Sequence, residues 1–554
     1  MTTAPRKLPT AQEFATLNRP EQLDVLRRAS SRQKLHLLVD DAAGEELLAL
    51  LPPQDVYLLA RELGPDQIPE LLTMASPEQW TAFFDFDCWA GDHFEARAAR
   101  VWLAVLLEGG ATRVAATLQG MDFELLVLLL HREVQVLSGP EEMADEAAIA
   151  ENRRRECGYV LDYRDEDGAK LFGALIDVLF RYAPEFCRYL LEAVRSEGES
   201  LLEESVYQQR GGRLLDQGLP EPHAAQVVYA WLDPESFVVS DKPKLPLGAG
   251  ALGTAPGAAL QLASPGGVLA EVLGAGVEAQ TAWELACLLN KVMMAEKVDL
   301  GDLAAVRGLS ERSYAMLNLA LEYLAGSDAK AAAHCLQTAY AEQLFRLGHS
   351  LTLRLQRRAR AVCETAVGPY LDSPYRQLTD ALWQRPPQFA EVLARPERGG
   401  RRPFASLREV RLAEAWLDRL EVQCRLFTEH FPFPLPSADD WALAGCHPGH
   451  GRELTLSTIF LTALANRLLD RAFAPQPLTV GELPGLHALV SRGGQVDRQL
   501  RGETRAWLES LEPGGAGFGD FCLNLWEEDF CQVHPAALDP RYVGSLIVRL
   551  EEGQ

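Results

Sequence analysis

The sequence predicts an all-α fold, and three observations carry the prediction. Helix-start signals recur at a fixed spacing: Pro53-Gln54-Asp55, Pro65-Asp66-Gln67 and Pro77-Glu78-Gln79 stand twelve residues apart. Proline suits the first helical position, where its missing N–H was an orphan anyway, and an acidic group beside it faces the positive end of the helix dipole. Apolar residues elsewhere recur at helical spacing between glycine stops, as in residues 94–108 before Gly109-Gly110. Sustained two-residue alternation, the signature of a half-buried strand, is confined to Tyr159-Val160-Leu161-Asp162-Tyr163.

Taken in order, the first elements read as a stack of short helices. Ser30 with Gln33 and Ser76 with Gln79 have capping-box spacing, and Leu23, Leu35, Leu47, Leu59, Leu71 and Phe83 continue the twelve-residue period. Twelve residues allow only about two helical turns and a corner, and helices that short need neighbours to share a core. Leu59 and Leu71 are therefore expected inside, with Gln54 and Asp66 exposed, and Trp80, Phe83, Phe84, Phe86 and Trp89 sealing the end of the stack. A helix is predicted over 122–137 with Asp122 as its cap. Residues 141–156 read as a surface helix or loose connection, and 170–195 as a helix bent at Pro184.

The segment 239–267 turns to Gly, Ala and Pro and reads as a linker or strap between a first lobe, 1–238, and a second all-helical lobe, 268–554. In the second lobe, helices are predicted over 281–296, from Ser310 as a cap to 325, and over 329–363, 374–383, 406–429, 454–473, 496–511 and 540–550.

Composition narrows the function. A chain of 554 residues is long enough for two or more domains, and 47% hydrophobic with 24% charged residues is the balance of a globular protein. A net charge of −25 argues against nucleic acid and against an anionic membrane surface. The longest apolar run, 125–130, is stopped by His131-Arg132-Glu133 and is too short to be inserted in a membrane. Ten scattered cysteines and no secretory apolar stretch after Met1 point to reduced thiols in the cytoplasm.

Several residue groups resemble a chemical site. Gly248-Ala249-Gly250-Ala251-Leu252-Gly253 satisfies a dinucleotide fingerprint in letters, but prolines flank it where a strand and a helix are needed, and Gly274-Ala275-Gly276 lacks a β-branched lead-in. Tyr163, Asp165, Asp167 and Gly168 mimic half a calcium loop without its first and last ligands. Arg354, Arg357, Arg358 and Arg360, and Arg398, Arg401 and Arg402, are basic clusters of the kind found on solvated faces. Cys446, His447 and His450 with Glu453 form the metal candidate, to which Cys522, Cys531 and His534 could add. The competing reading is loop histidines and buried thiols. No serine elbow and no phosphate loop occurs.

Leu17-Asn18-Arg19-Pro20-Glu21-Gln22-Leu23, Leu51-Pro52-Pro53-Gln54-Asp55 and the run from Pro77-Glu78-Gln79-Trp80 to Asp85-Phe86-Asp87-Cys88-Trp89 resemble an uncharacterised bacterial family known only as a domain of unknown function. Gly301-Asp302-Leu303-Ala304-Ala305-Val306-Arg307 and Leu317-Asn318-Leu319-Ala320-Leu321-Glu322 resemble its second half, and the resemblance implies no activity. The Leu-Pro-Pro and Gly-Pro-Asp punctuation of the first part is distantly similar to the cytosolic N-terminal superhelix of the magnesium transporter MgtE and the flagellar switch protein FliG. No magnesium-binding residue comes with that similarity. The expectation is a non-catalytic cytoplasmic scaffold or adaptor that binds protein partners and needs no cofactor. The alternative is a metal-dependent enzyme using Cys446, His447 and His450.

Overall fold

The computed structural model describes residues 9–138, 153–241, 243–246, 256–435, 438–439, 441 and 443–550. Among them are 26 α-helices and five sheets of two or three short strands, so the protein is mostly α, as expected, though not purely so. Two compact units emerge. One takes Met1–Leu232 with Phe237–Arg346, the other Asp233–Ser236 with Leu347–Gln554.

This division differs from the one drawn at 239–267, and buried polar contacts explain why. Gln54 and Asn290 exchange amide hydrogen bonds of 2.9 and 3.0 Å, and the Arg61 guanidinium donates to the Gly301 carbonyl. The described part of the predicted linker is itself strapped down. Lys244 Nζ lies 2.9 Å from a Glu284 carboxylate oxygen with both side chains buried, and the Asp55 carboxylate accepts from the backbone N–H groups of Gly257 and Ala258. Each of these links ties the first helices to chain two hundred residues or more onward, or closes the strap onto Ala279–Glu296. The dinucleotide-like glycines at 248–253 lie outside the described residues.

Two of the three proline signals start full helices, Pro53–Leu63 and Pro77–Asp87, and the Ser76 box forms, with Gln79 N donating to Ser76 Oγ and Ser76 N to Gln79 Oε1. The middle signal does not. Pro65–Gln67 is a single 3₁₀ turn, entered through Gly64 at φ +90°, and the helix that follows, Pro69–Leu72, is one turn long. The inward register holds at Leu47, Leu59, Leu71 and Phe83, all buried, but Leu23 and Leu35 are only half-buried because Leu26 and Leu38 take the inward positions. The pieces share a core without repeating one shape, so a regular superhelix is not shown. Trp80, Phe83 and Phe84 are fully buried, with Tyr57 and Trp102 against them.

Tyr159–Tyr163 is a strand, central in an antiparallel sheet with Val134–Ser138 and Arg153–Glu156. The helix capped by Asp122 therefore ends at Glu133, short of the predicted 137. The cause is local: Val134 and Val136 are β-branched, and both are buried on the face shared with Tyr159, Leu161 and Tyr163. The predicted bend at Pro184 is a full break between Glu166–Tyr182 and Pro184–Ser196. Ser310 is not a cap; the helix Leu303–Ala325 begins earlier, at the Asp302 carboxylate, and buried Ser310 bonds the Ala259 carbonyl. The predicted helix 329–363 is two, Ala329–Thr338 and Ala341–Cys363.

The second unit has an aromatic core. Phe431, Phe460, Phe473, Trp507 and Phe518 lie with neighbouring ring centroids 5.0–6.3 Å apart. Its C-terminal segment, predicted as a helix over 540–550, is a 3₁₀ turn, Pro540–Tyr542, then a strand, Val548–Arg549, between Cys446–His447 and Leu478–Thr479. Among the described residues no single helix is long and apolar enough to cross a membrane. Ala111–Gly120 and Phe123–Glu133 reach that length only as a pair bent by 113°.

Candidate functional site

The helix Ala279–Glu296 buries Leu285, Leu288, Leu289 and Val292 and turns Trp283, Cys287 and Lys291, four residues apart, toward open space. Along that face run two adjoining cavities of about 360 and 390 Å³, with Trp283 and Cys287 in the wall of both. The first is completed by Tyr340, Glu342 and Arg346, the second by Leu50, Pro52, Gln54 and Gly218. Together they make a groove in the first unit, walled by aromatic and apolar side chains with charged and amide groups among them.

The polar groups of this groove are held by the chain's own atoms. Lys291 Nζ is 2.9 Å from Glu342, and Glu284 accepts from Ala341 N at 3.1 Å as well as pairing with Lys244. Arg346 donates through Nε to the Ala230 carbonyl and through Nη2 to that of Trp231. Asn290, beyond its pairing with Gln54, donates to the Gln217 carbonyl at 3.2 Å. Burial, with Glu284 nearby, pushes the Cys287 thiol up to about 11, so at neutral pH it is a protonated, weakly nucleophilic group. The arrangement suits binding: apolar surface to cover, and fixed charges at the rim to set orientation.

The metal candidates are dispersed. Cys446 is buried in the strand Cys446–His447, where successive side chains point to opposite faces, and His450 is exposed in the loop beyond. Glu453, exposed, ends a single 3₁₀ turn whose first residue, Gly451, is buried. Cys522 is fully buried in Gly515–Trp526, its thiol raised well above the ordinary range by burial, and His534 Nδ1 accepts from Ala536 N. Among the described residues no group of three or more His, Cys, Asp and Glu is placed to hold a metal. The half calcium loop is a helix start: Asp165 accepts from Gly168 N at 2.6 Å and pairs with Arg100. Two of the predicted basic residues, Arg354 and Arg358, pair with Glu414, Asp418 and Glu421. Arg402 pairs with Glu391 and Glu409.

Sequence reasoning missed the groove. Gln54 was expected outside and is 1% exposed. Its one signal was a long amide in the first turn of a helix, which does not name a partner 236 residues away.

The chain belongs to a family of unknown function, DUF6178. The match covers residues 11–549, so the groove and nearly all of both compact units lie within the family's extent. No curated protein and no solved structure matches it, and the likeness to MgtE and FliG is not shown.

Proposed function

We propose that the protein is a cytoplasmic, non-catalytic helical scaffold that holds a segment of a partner protein in the groove along Ala279–Glu296. The observation that supports this reading is the groove's construction: half-buried Trp283 and Tyr340 beside ion pairs already closed within the chain, Lys291 with Glu342 and Lys244 with Glu284. A flat aromatic in a partly desolvated trough is the usual anchor of a protein interface, while rim charges contribute orientation more than affinity. Leu50, 48% exposed at the far end, extends the apolar track.

The test is a photo-cross-linking residue placed at position 283 in the native host, with the same residue at exposed Tyr182 as the control. A discrete cross-linked species from position 283, absent from the control and lost on adding Leu50→Asp, is expected. Failure to cross-link, together with a stoichiometric metal found by elemental analysis of the purified protein, would overturn the scaffold reading in favour of a metal enzyme.

A further inference from the structure

A separate cavity of about 200 Å³ opens beside the helices Ser31–Val39, Pro53–Leu63 and Ala258–Gln261, and its wall carries charges of both signs: Lys34, Arg307, Asp55 and Glu62. Lys34 is the unusual member. It is nine-tenths buried, and its ammonium makes one hydrogen bond among the described residues, 3.3 Å to the neutral Gln261 Oε1. Buried lysines are ordinarily paired, because an ammonium taken from water without an acceptor for each N–H carries a large desolvation cost. Burial draws this ammonium below its ordinary range while Asp55 and Glu62 oppose the shift.

The two carboxylates are not equivalent. Asp55 is committed to its cap, with Oδ1 accepting from Gly257 N and Ala258 N at 2.9 and 2.8 Å, and Oδ2 accepting from Gly257 N at 3.1 Å. Among the described residues Glu62 accepts from Ser31 Oγ through Oε2 alone, which leaves Oε1 for an incoming donor. Arg307 is exposed at the cavity wall. The cavity thus offers donors on Lys34 and Arg307 and an acceptor on Glu62. It has room for a molecule of several heavy atoms, since cavities of about 150 Å³ take a benzene-sized guest.

We propose that this cavity binds a small zwitterion of the α-amino acid class, its carboxylate on Lys34 and Arg307 and its ammonium on Glu62. A ligand of either charge alone would leave one sign of the wall without a partner. A zwitterion satisfies both and brings no net charge into the site.

The experiment titrates the full chain with each proteinogenic amino acid, read by saturation-transfer NMR and by Tm. At least one amino acid is expected to bind and raise Tm. Its decarboxylated amine and its deaminated acid should each bind about tenfold or more weakly, the worth of one lost charged hydrogen bond. Lys34→Met should abolish binding. Arg307→Gln, a change at an exposed position, should keep the wild-type Tm and weaken binding about tenfold, which keeps the test decisive even where Lys34→Met fails to fold. No binding by any amino acid, equal binding by the amine or the acid alone, or undiminished binding to Arg307→Gln would each overturn the proposal.

Discussion

Two regions of the molecule, one around Asp85 and Gln54 in the first unit and one around Phe460 in the second, are held together by different physics. In the first, buried polar groups join distant stretches: the Asp85 carboxylate, wholly enclosed, takes two hydrogen bonds from Arg213, and Gln54 pairs with Asn290. In the second, the centre is a set of aromatic rings, with Phe460 touching Phe431, Phe473, Trp507 and Phe518. A directional contact is all or nothing, since removing one partner leaves the other buried and unsatisfied, whereas apolar packing loses stability in proportion to the volume removed.

The sharpest test sets Asp85 against Phe460. Asp85→Ala removes two hydrogen bonds from Arg213, which keeps Asp122 as its remaining partner, and should cost about 3 kcal/mol, and Phe460→Ala about 3–5 kcal/mol through its cavity. Conservative changes should separate them. Phe460→Leu should fall to about 1.5 kcal/mol or less, while Asp85→Asn should keep a cost above about 2 kcal/mol because the ion pair is gone. Urea melts of the four variants read this directly, and equal costs for the two conservative changes would erase the contrast.

A smaller effect is expected from His349, which is 5% exposed in the Ala341–Cys363 helix and whose basicity burial lowers to about 4. A lowered base protonates more readily in the unfolded chain. Its contribution to stability is therefore intact above the ordinary value of 6.5 and is lost as pH falls toward about 4. Between pH 7 and pH 5 the loss should be about 2 kcal/mol. His349→Leu should remove that part of the slope in melts at the two pH values.

Smaller again, Gln54→Ala should cost about 1–3 kcal/mol by leaving the buried Asn290 Oδ1 without its donor, and the double change Gln54→Leu with Asn290→Leu should recover most of it. Asp66→Ala, at an exposed turn, should cost under about 1 kcal/mol in the same melts. A Gln54→Ala variant that melts with Asp66→Ala would show that the amide pair does not tie the helices together.

Much of the secondary structure was set locally and was therefore legible. The Pro53–Leu63 and Pro77–Asp87 starts, the Asp122 cap and the Tyr159–Tyr163 strand follow from proline geometry, capping chemistry and side-chain alternation within a few residues. The errors fall where a short segment satisfied two patterns. Val134 and Val136 could end a helix or start a strand, and a sheet partner decided it. Pro65 promised a helix that Gly64 and the break at Ile68 left as one turn. The candidate site was not legible, for a physical reason. Spacing along the chain at Cys446, His447 and His450 does not fix ligand geometry in a strand and the loop beyond it. Lys34 beside Gln261 and Gln54 on Asn290 join residues 227 and 236 apart. Local sequence decides which residues are able to form a hydrogen bond. Only the tertiary structure decides which partner lies within hydrogen-bond reach, because the burial that makes such a bond matter is created by the fold itself.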